Sequence, residues 1–251
     1  MKTIIQVWRD GKLQKQRTFL ELLGDFSEKE SVISVVGAGG KTTTIRRIAQ
    51  ELMEKEISPI VTTTTHIEKE ETTFFLTNPS FEEIQDVLKM EGQVWFGNST
   101  NREGKVGSPS FELLESVWRS RKGVLLIEAD GARRMPCKVP AAHEPVIFER
   151  TTHVLSVYGL DAIGKAIEES CFRPELVAEI LGKQKTSFVT TEDIAILALH
   201  SFGGKKKVLP QMQYFIILNK ADNEKRKGFA KEICKNLEKH GVKNVIVTAH
   251  R

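Results

Sequence analysis

Cysteine is scarce in this chain. Cys137, Cys171 and Cys234 lie far apart in 251 residues, form no C-x-x-C pair and are odd in number. A disulfide-stapled scaffold and a C-x-x-C redox or metal motif are therefore excluded. No apolar run reaches 18 residues, so no segment reads as a membrane-spanning helix. At the N-terminus, Arg9 and Asp10 interrupt the chain before an apolar core of signal-peptide length builds up. Aromatic residues make up only 7%, and no DNA- or RNA-binding motif is found. The net charge of +4 is small for the length, which suits an anionic ligand better than a nucleic acid. The run Lys205-Lys206-Lys207 reads as a solvated loop. There is no internal repeat and no low-complexity segment. The expectation is a cytoplasmic protein without nucleic-acid or membrane partners.

With 40% hydrophobic and 28% charged residues, the sequence is that of a globular chain long enough for one large α/β domain. The chain is organised around VISVVGAGGKTTTIRRI, Val32 to Ile48. Ile33, Val35 and Val36 form a strand-like apolar run. Gly37-Ala38-Gly39-Gly40 then turns the chain where side chains would obstruct a ligand's approach to the backbone. Lys41, Thr42 and Thr43 open a helix whose apolar positions, Ile45, Ile48, Ala49, Leu52 and Met53, share one face. Strand, glycine turn, Lys-Thr and helix together make a phosphate cradle. Loop and helix-start N–H groups face the anion, Lys41 adds charge, and the Thr42 hydroxyl can ligate Mg²⁺. The loop is a shortened form of G-x-x-x-x-G-K-[ST], because Val35 stands where the first glycine would be.

Three further stretches carry chemistry. Pro59-Ile60-Val61 leads into Thr62 to Thr65 and His66, a β-branched strand. In a doubly wound sheet its C-terminal end brings Thr64, Thr65 and His66 towards the phosphates. Val124 to Ile127 reads as a buried parallel strand delivering Glu128 and Asp130, with Gly131 next to them. A carboxylate there can hold Mg²⁺, and the Gly131 N–H can approach a terminal phosphate. The following loop holds Arg133, Arg134, Lys138, His143 and Glu144 among Pro136, Pro140 and Pro145, so its polar groups are held rather than floppy. Phe215 to Leu218 ends in Asn219-Lys220-Ala221-Asp222. An Asp carboxylate can accept from guanine N1–H and the exocyclic amine, for which adenine offers no matching donors. The last strand, Val245 to Val247, leads into Thr248-Ala249, a pair that can bring a backbone N–H to the guanine carbonyl.

The remaining elements are expected to be strands near 3–8, 74–76, 94–96 and 153–157. Helical periodicity is seen over 18–26, 79–90, 111–118, 173–181, 191–198 and 224–239. A loop is expected over 98–109. Residues 1–28 form a leader packed on the sheet edge, and 160–205 a small helical insertion in a single nucleotide-binding domain.

Three of these stretches resemble the P-loop GTPases of the metallochaperone group. The counterparts are Gly40-Lys41-Thr42, Glu128-Ala129-Asp130-Gly131 and Asn219 to Asp222, although no cysteine-rich metal motif is present. A closer resemblance is to the selenium-dependent hydroxylase accessory family of YqeC type. It is carried by VVGAGGKTTT, VTTTTHI, LIEADGA, ILNKAD and the run containing Lys138, Pro140, His143, Glu144 and Pro145. That resemblance implies a role in maturing molybdenum- or selenium-containing hydroxylases, with such a hydroxylase or its cofactor-assembly proteins as partners.

The resulting expectation is a P-loop NTPase of α/β class, with a mostly parallel sheet and helices on both faces. Mg²⁺ and GTP, or ATP, are the expected ligands. Lys41, Glu128 and Asp130 are the candidate catalytic groups, and Thr42, Glu128 and Asp130 the candidate metal ligands. Gly37 to Thr43, Gly131, Asn219, Lys220, Asp222 and Ala249 are the candidate nucleotide contacts. Thr64, Thr65, His66, Lys138, His143 and Glu144 are candidate substrate or switch residues. The alternatives are an ATP-dependent small-molecule kinase or ligase, since the short loop also resembles that of the Mur-type peptide ligases, and a nucleotide-switched scaffold with little turnover.

Overall fold

The structure is a computed structural model, and it describes residues 3–26 and 31–250. Two antiparallel strands, β1 (Thr3–Arg9) and β2 (Lys12–Gln16), precede a single helical turn, α1 (Leu20–Leu23). β3 (Val32–Gly37) feeds α2 (Lys41–Glu54). Next come β4 (Pro59–Thr63), β5 (His66–Glu68), β6 (Phe75–Thr77) and α3 (Phe81–Glu91). β7 (Val94–Ser99), β8 (Lys105–Gly107), α4 (Phe111–Arg119) and β9 (Val124–Glu128) follow. After β10 (Cys137–Lys138) and β11 (His153–Gly159) come a 3-10 turn (Leu160–Ala162) and α5 (Ile167–Ser170). β12 (Cys171–Phe172), α6 (Pro174–Leu181) and α7 (Thr191–Leu199) lead to β13 (Gln213–Asn219), α8 (Glu224–Lys239) and β14 (Val245–His250).

Among the described residues, twelve strands form one sheet in the order β2-β1-β14-β13-β11-β3-β9-β4-β7-β8-β5, with β6 pairing on β7. From β14 to β7 every neighbouring pair is parallel. Alternate residues of each central strand enter opposite cores. Ile33 and Val35 pack with Ile45, Ile48 and Leu52 of α2, whereas Val32 and Val36 pack with Ile84 and Leu114 of α3 and α4. Phe215 and Ile217 join the α2 side, while Ile216 and Leu218 meet Ile233 and Leu237 of α8. The period of two on strands buried on both faces produces a three-layer α/β architecture with helices on both sides of the sheet. Fully burying Ile45, Ile48 and Leu52 stabilises the α2 layer by roughly 1.5–3 kcal/mol each.

Several expected elements differ in detail. Residues 98–109 are not a loop throughout: β7 continues to Ser99 and turns back as β8, which also pairs with β5. Of the helix expected over 18–26, only Leu20–Leu23 is helical. At its start the backbone N–H groups of Phe19 and Leu20, which a helix leaves unpaired, donate to Glu51 of α2 at 2.6 and 3.3 Å. The leader contributes β1 and β2 beside β14, and its residues 1, 2, 27 and 28 lie outside the described residues. The segment 160–205 is not purely helical, because β12 pairs in parallel with β10 in a second, two-stranded sheet. Lys206 and Lys207 are not simply solvated: their ammonium groups donate to the carbonyls of Ala141 and His143 at 2.6 and 3.1 Å. Among the described residues no helix is long and apolar enough to cross a membrane.

Candidate functional site

The carboxyl ends of β3, β4, β9, β11 and β13 gather at one rim, where ligands bind in open α/β sheets. At its centre the chain leaves β3 through a turn that only glycine fits. Gly39 and Gly40 have φ of +86° and +137°. A Cβ on Gly39 would run into the backbone of Gly159, and one on Gly40 into the side-chain amide of Asn219. The Gly37 N–H donates to Asp130 Oδ2 at 3.0 Å and the Ala38 N–H to the Val157 carbonyl at 2.8 Å. Those two amides are thus used inside the protein. Gly39, Gly40, Lys41, Thr42 and Thr43 line the open cleft. No side chain caps α2, and no acidic residue stands in its first turn. Its leading N–H groups and the positive end of its dipole are available to an anion.

Four side chains meet beside the turn. The Thr42 hydroxyl donates to Glu128 Oε2 at 2.8 Å. Lys41 is buried; its Nζ donates to the Gly37 carbonyl at 2.8 Å and lies 3.2 Å from Asp130 and 3.6 Å from Glu128. Burial pulls the Lys41 ammonium down, but the carboxylates of Asp130 and Glu128 outweigh it and hold the pKa above its ordinary value. Burial pushes the Glu128 carboxyl above the usual carboxylate range, against the pull of Lys41 and the Thr42 hydrogen bond. Asp130 does not reach the cleft. It lies behind the loop, with Oδ2 taking Gly37 N–H and the Lys138 ammonium at 3.0 Å, and Oδ1 buried without a hydrogen bond. Asp130 therefore orients the loop and Lys41, and Glu128 is the carboxylate that opens onto the cleft.

The loop after β9 is held by charge as well as by proline. Lys138 lies beneath the cleft rather than in it, because its ammonium is consumed by the Gly131 carbonyl at 2.6 Å, Glu144 at 2.8 Å and Asp130. Glu144 lines the cleft and also accepts from Arg173 at 2.7 Å. Burial alone would raise its carboxyl, but the hydrogen bonds from Arg173 and Lys138 win and bring it down to about 2. Lys41, Asp130, Lys138, Glu144 and Arg173 thus form one chain of alternating charge from the glycine turn to the start of α6. The Arg173 guanidinium stacks 4.2 Å from the Phe172 ring centroid. In the sequence, Arg173 stands only at the start of the periodic stretch 173–181. Its position beside the cleft depends on the β10–β12 pairing, for which two residues per strand leave no periodic signal.

On the other side of the loop, the Asn219 amide donates to the Gly39 carbonyl at 2.8 Å and accepts from the Thr248 hydroxyl at 2.7 Å. Asn219 supports the turn from behind. Lys220 lines the cleft and pairs with Asp161 at 2.8 Å, a partner that no motif marks. Two expected base contacts stand elsewhere. Asp222 is outside the cleft lining, and its carboxylate takes Arg226 of α8 at 3.3 Å, an i, i+4 pair on a capped helix start. Thr248 and Ala249 lie within β14, opposite Ile5 and Ile4 of β1, so Ala249 is a buried strand residue and not part of a loop.

The cleft measures about 860 Å³. Thr64, Thr65, His66, Gly131 and His143 all line it. The Thr64 hydroxyl donates to the Val146 carbonyl at 2.6 Å, and the Thr65 N–H to the Thr63 hydroxyl at 2.9 Å, so these threonines fix the rim. His66 opens β5 rather than closing β4; burial, then Arg102 and Lys105, lower its pKa. Gly131 leaves room above it, since a Cβ there would meet only Glu144 Oε1, at 3.9 Å. Among the described residues no cluster of three or more His, Cys, Asp or Glu side chains could hold a metal ion. Thr42 and Glu128 are hard oxygen donors, however, and fit Mg²⁺, which takes one or two protein ligands and completes its shell with phosphate and water.

A family model described as YqeC protein matches residues 33–175, from β3 to the first turn of α6. The uncharacterized protein YqeC of Escherichia coli (strain K12) is 29% identical over 226 residues, which cover 87% of each chain. The matched stretch contains the glycine turn, the Thr42–Glu128 pair and the whole charge chain ending at Arg173, and with more than half its length so matched this chain belongs to the YqeC family.

Proposed function

We propose that this protein binds Mg²⁺–GTP at the glycine turn and hydrolyses it while assisting the maturation of molybdenum- or selenium-containing hydroxylases in the cytoplasm. The observation that carries the reading is the Thr42 hydroxyl 2.8 Å from a Glu128 carboxylate, at the uncapped start of a helix that follows two positive-φ glycines. Lys41 and the amides of residues 39–43 bind and orient the phosphates, and Thr42 and Glu128 hold the metal. Bound Mg²⁺ neutralises charge on the phosphate oxygens. Catalysis of this kind is mostly positioning and electrostatics. Membership of the YqeC family, together with the resemblance described above, supports the accessory role.

A second reading, an ATP-dependent kinase or ligase, is favoured by one observation. Asp222, the residue that would select guanine, pairs with Arg226 and stands outside the cleft lining. Calorimetric titration with Mg²⁺–GTP and Mg²⁺–ATP tests both. The expected result is GTP binding that Lys41→Ala abolishes and Asp222→Ala weakens. ATP preference indifferent to Asp222→Ala would establish the second reading, and full nucleotide binding by folded Lys41→Ala would sink both.

A further inference from the structure

The cleft extends to both sides of the glycine turn. On the reading above, the nucleotide runs from the turn after β3 towards Lys220 at the end of β13, two strands away on one side. The opposite wall is built by the ends of β4, β7 and β8. β7 lies three strand spacings from β3, about 14 Å at about 4.8 Å per spacing. That wall is basic. The β7–β8 hairpin presents Arg102 and Lys105 to the cleft, and the loop after β9 presents Arg133.

Charge is concentrated here. Seven side chains lining the cleft are lysine or arginine and three are glutamate, so the lining alone carries the +4 excess of the whole chain. Each of the three glutamates is engaged: Glu68 by Arg134, Glu128 by Thr42 and Lys41, and Glu144 by Lys138 and Arg173. Among the described residues neither Arg102 nor Arg133 forms an ion pair with a carboxylate. Arg133 instead lies 5.1 Å from the Phe172 ring centroid, on the ring that also carries Arg173. A guanidinium without a carboxylate keeps its fork of donors for a planar or tetrahedral oxyanion. Two such groups and Lys105 around one compartment suit the double charge of a phosphate monoester.

We propose that the compartment between the β7–β8 hairpin and Arg133 binds a second ligand, a phosphorylated small molecule, beside the phosphate end of the nucleotide. The inference rests on the nucleotide reading only for where the nucleotide lies. Inorganic phosphate is the probe. It is titrated by calorimetry into the wild type, with and without Mg²⁺ and a non-hydrolysable GTP analogue, into Lys41→Ala, and into Arg102→Glu/Arg133→Glu. Both arginines are exposed, so the double variant is expected to fold.

The expected result is a phosphate-binding event that survives the analogue and Lys41→Ala and weakens by about tenfold or more in the double variant. That variant should keep nucleotide affinity within about threefold. The proposal is overturned if no phosphate binds, or if phosphate binding is lost on adding the analogue or in Lys41→Ala and kept in the double variant. Should the wild type bind no nucleotide, the function above fails by itself. An arginine-dependent, Lys41-independent phosphate event would still uphold the compartment.

Discussion

Glu144 illustrates how much one side chain can hold in this molecule. Its carboxylate takes both Lys138 and Arg173, and its pKa falls to about 2 from an ordinary 4.5. A depressed carboxylate contributes stability that is fully present above the unfolded value and lost as pH falls through the folded one. The window is therefore pH 4.5 down to about 2, and the contribution is about 3 kcal/mol. Urea unfolding at pH 7 and pH 3 should show wild type losing more stability than Glu144→Gln over that interval, and equal losses would refute the linkage. At this scale the sequence was legible where chemistry sits on regular elements. Lys41, Thr42 and Glu128 could be placed from strand and helix patterns alone. Lys138 and Asp130 were legible as charged residues near the site but not as buried ones. Their burial follows from mutual neutralisation, which no spacing records. Asp222 and Ala249 fit a four-residue pattern and a dipeptide, yet a local i, i+4 pair and a strand ladder claim them first.

Among elements, the turn between β3 and α2 is the most demanding. Gly40→Ala would place a methyl group against the Asn219 amide at a φ of +137°. The expected cost is about 1–3 kcal/mol of unfolding free energy, with loss of nucleotide binding. Gly228→Ala is the contrasting case, since nothing lies within 4 Å and the residue sits inside α8. It should stabilise by about 0.5–1 kcal/mol. Thermal unfolding of the two variants checks both signs. The bounds of α8 match its apolar periodicity because the helix is amphipathic on its own account. The β7–β8 hairpin was not legible. Its Gly-, Ser- and Asn-rich sequence reads as loop, and the strand exists because β5 and β7 flank it. The short α1 ends at Gly24, whose φ of +116° leaves the helical region.

At the level of the whole molecule, the doubly wound sheet was legible from strand–helix alternation, but its edges were not. β1 closes the β14 side and buries Ile5, Val7 and Trp8. Deleting residues 1–17 would uncover the β14 edge and the apolar residues on which Ile5 and Trp8 pack, such as Ile246 and Val247. The shortened chain should lose several kcal/mol of stability and self-associate, as sedimentation would reveal. A shortened chain that stayed monomeric with unchanged unfolding would contradict this account. Asn219 has a wider consequence. Its amide ties the Gly39 carbonyl, 180 positions earlier in the chain, to Thr248 in the last strand. Contacts between such distant positions form late in folding, because loop closure must precede them. The glycine turn is therefore among the last features to be finished, after β14 has docked. A half-folded chain has the glycines and the lysine but not their fixed arrangement, so an ordered glycine turn reports that β14 is in place.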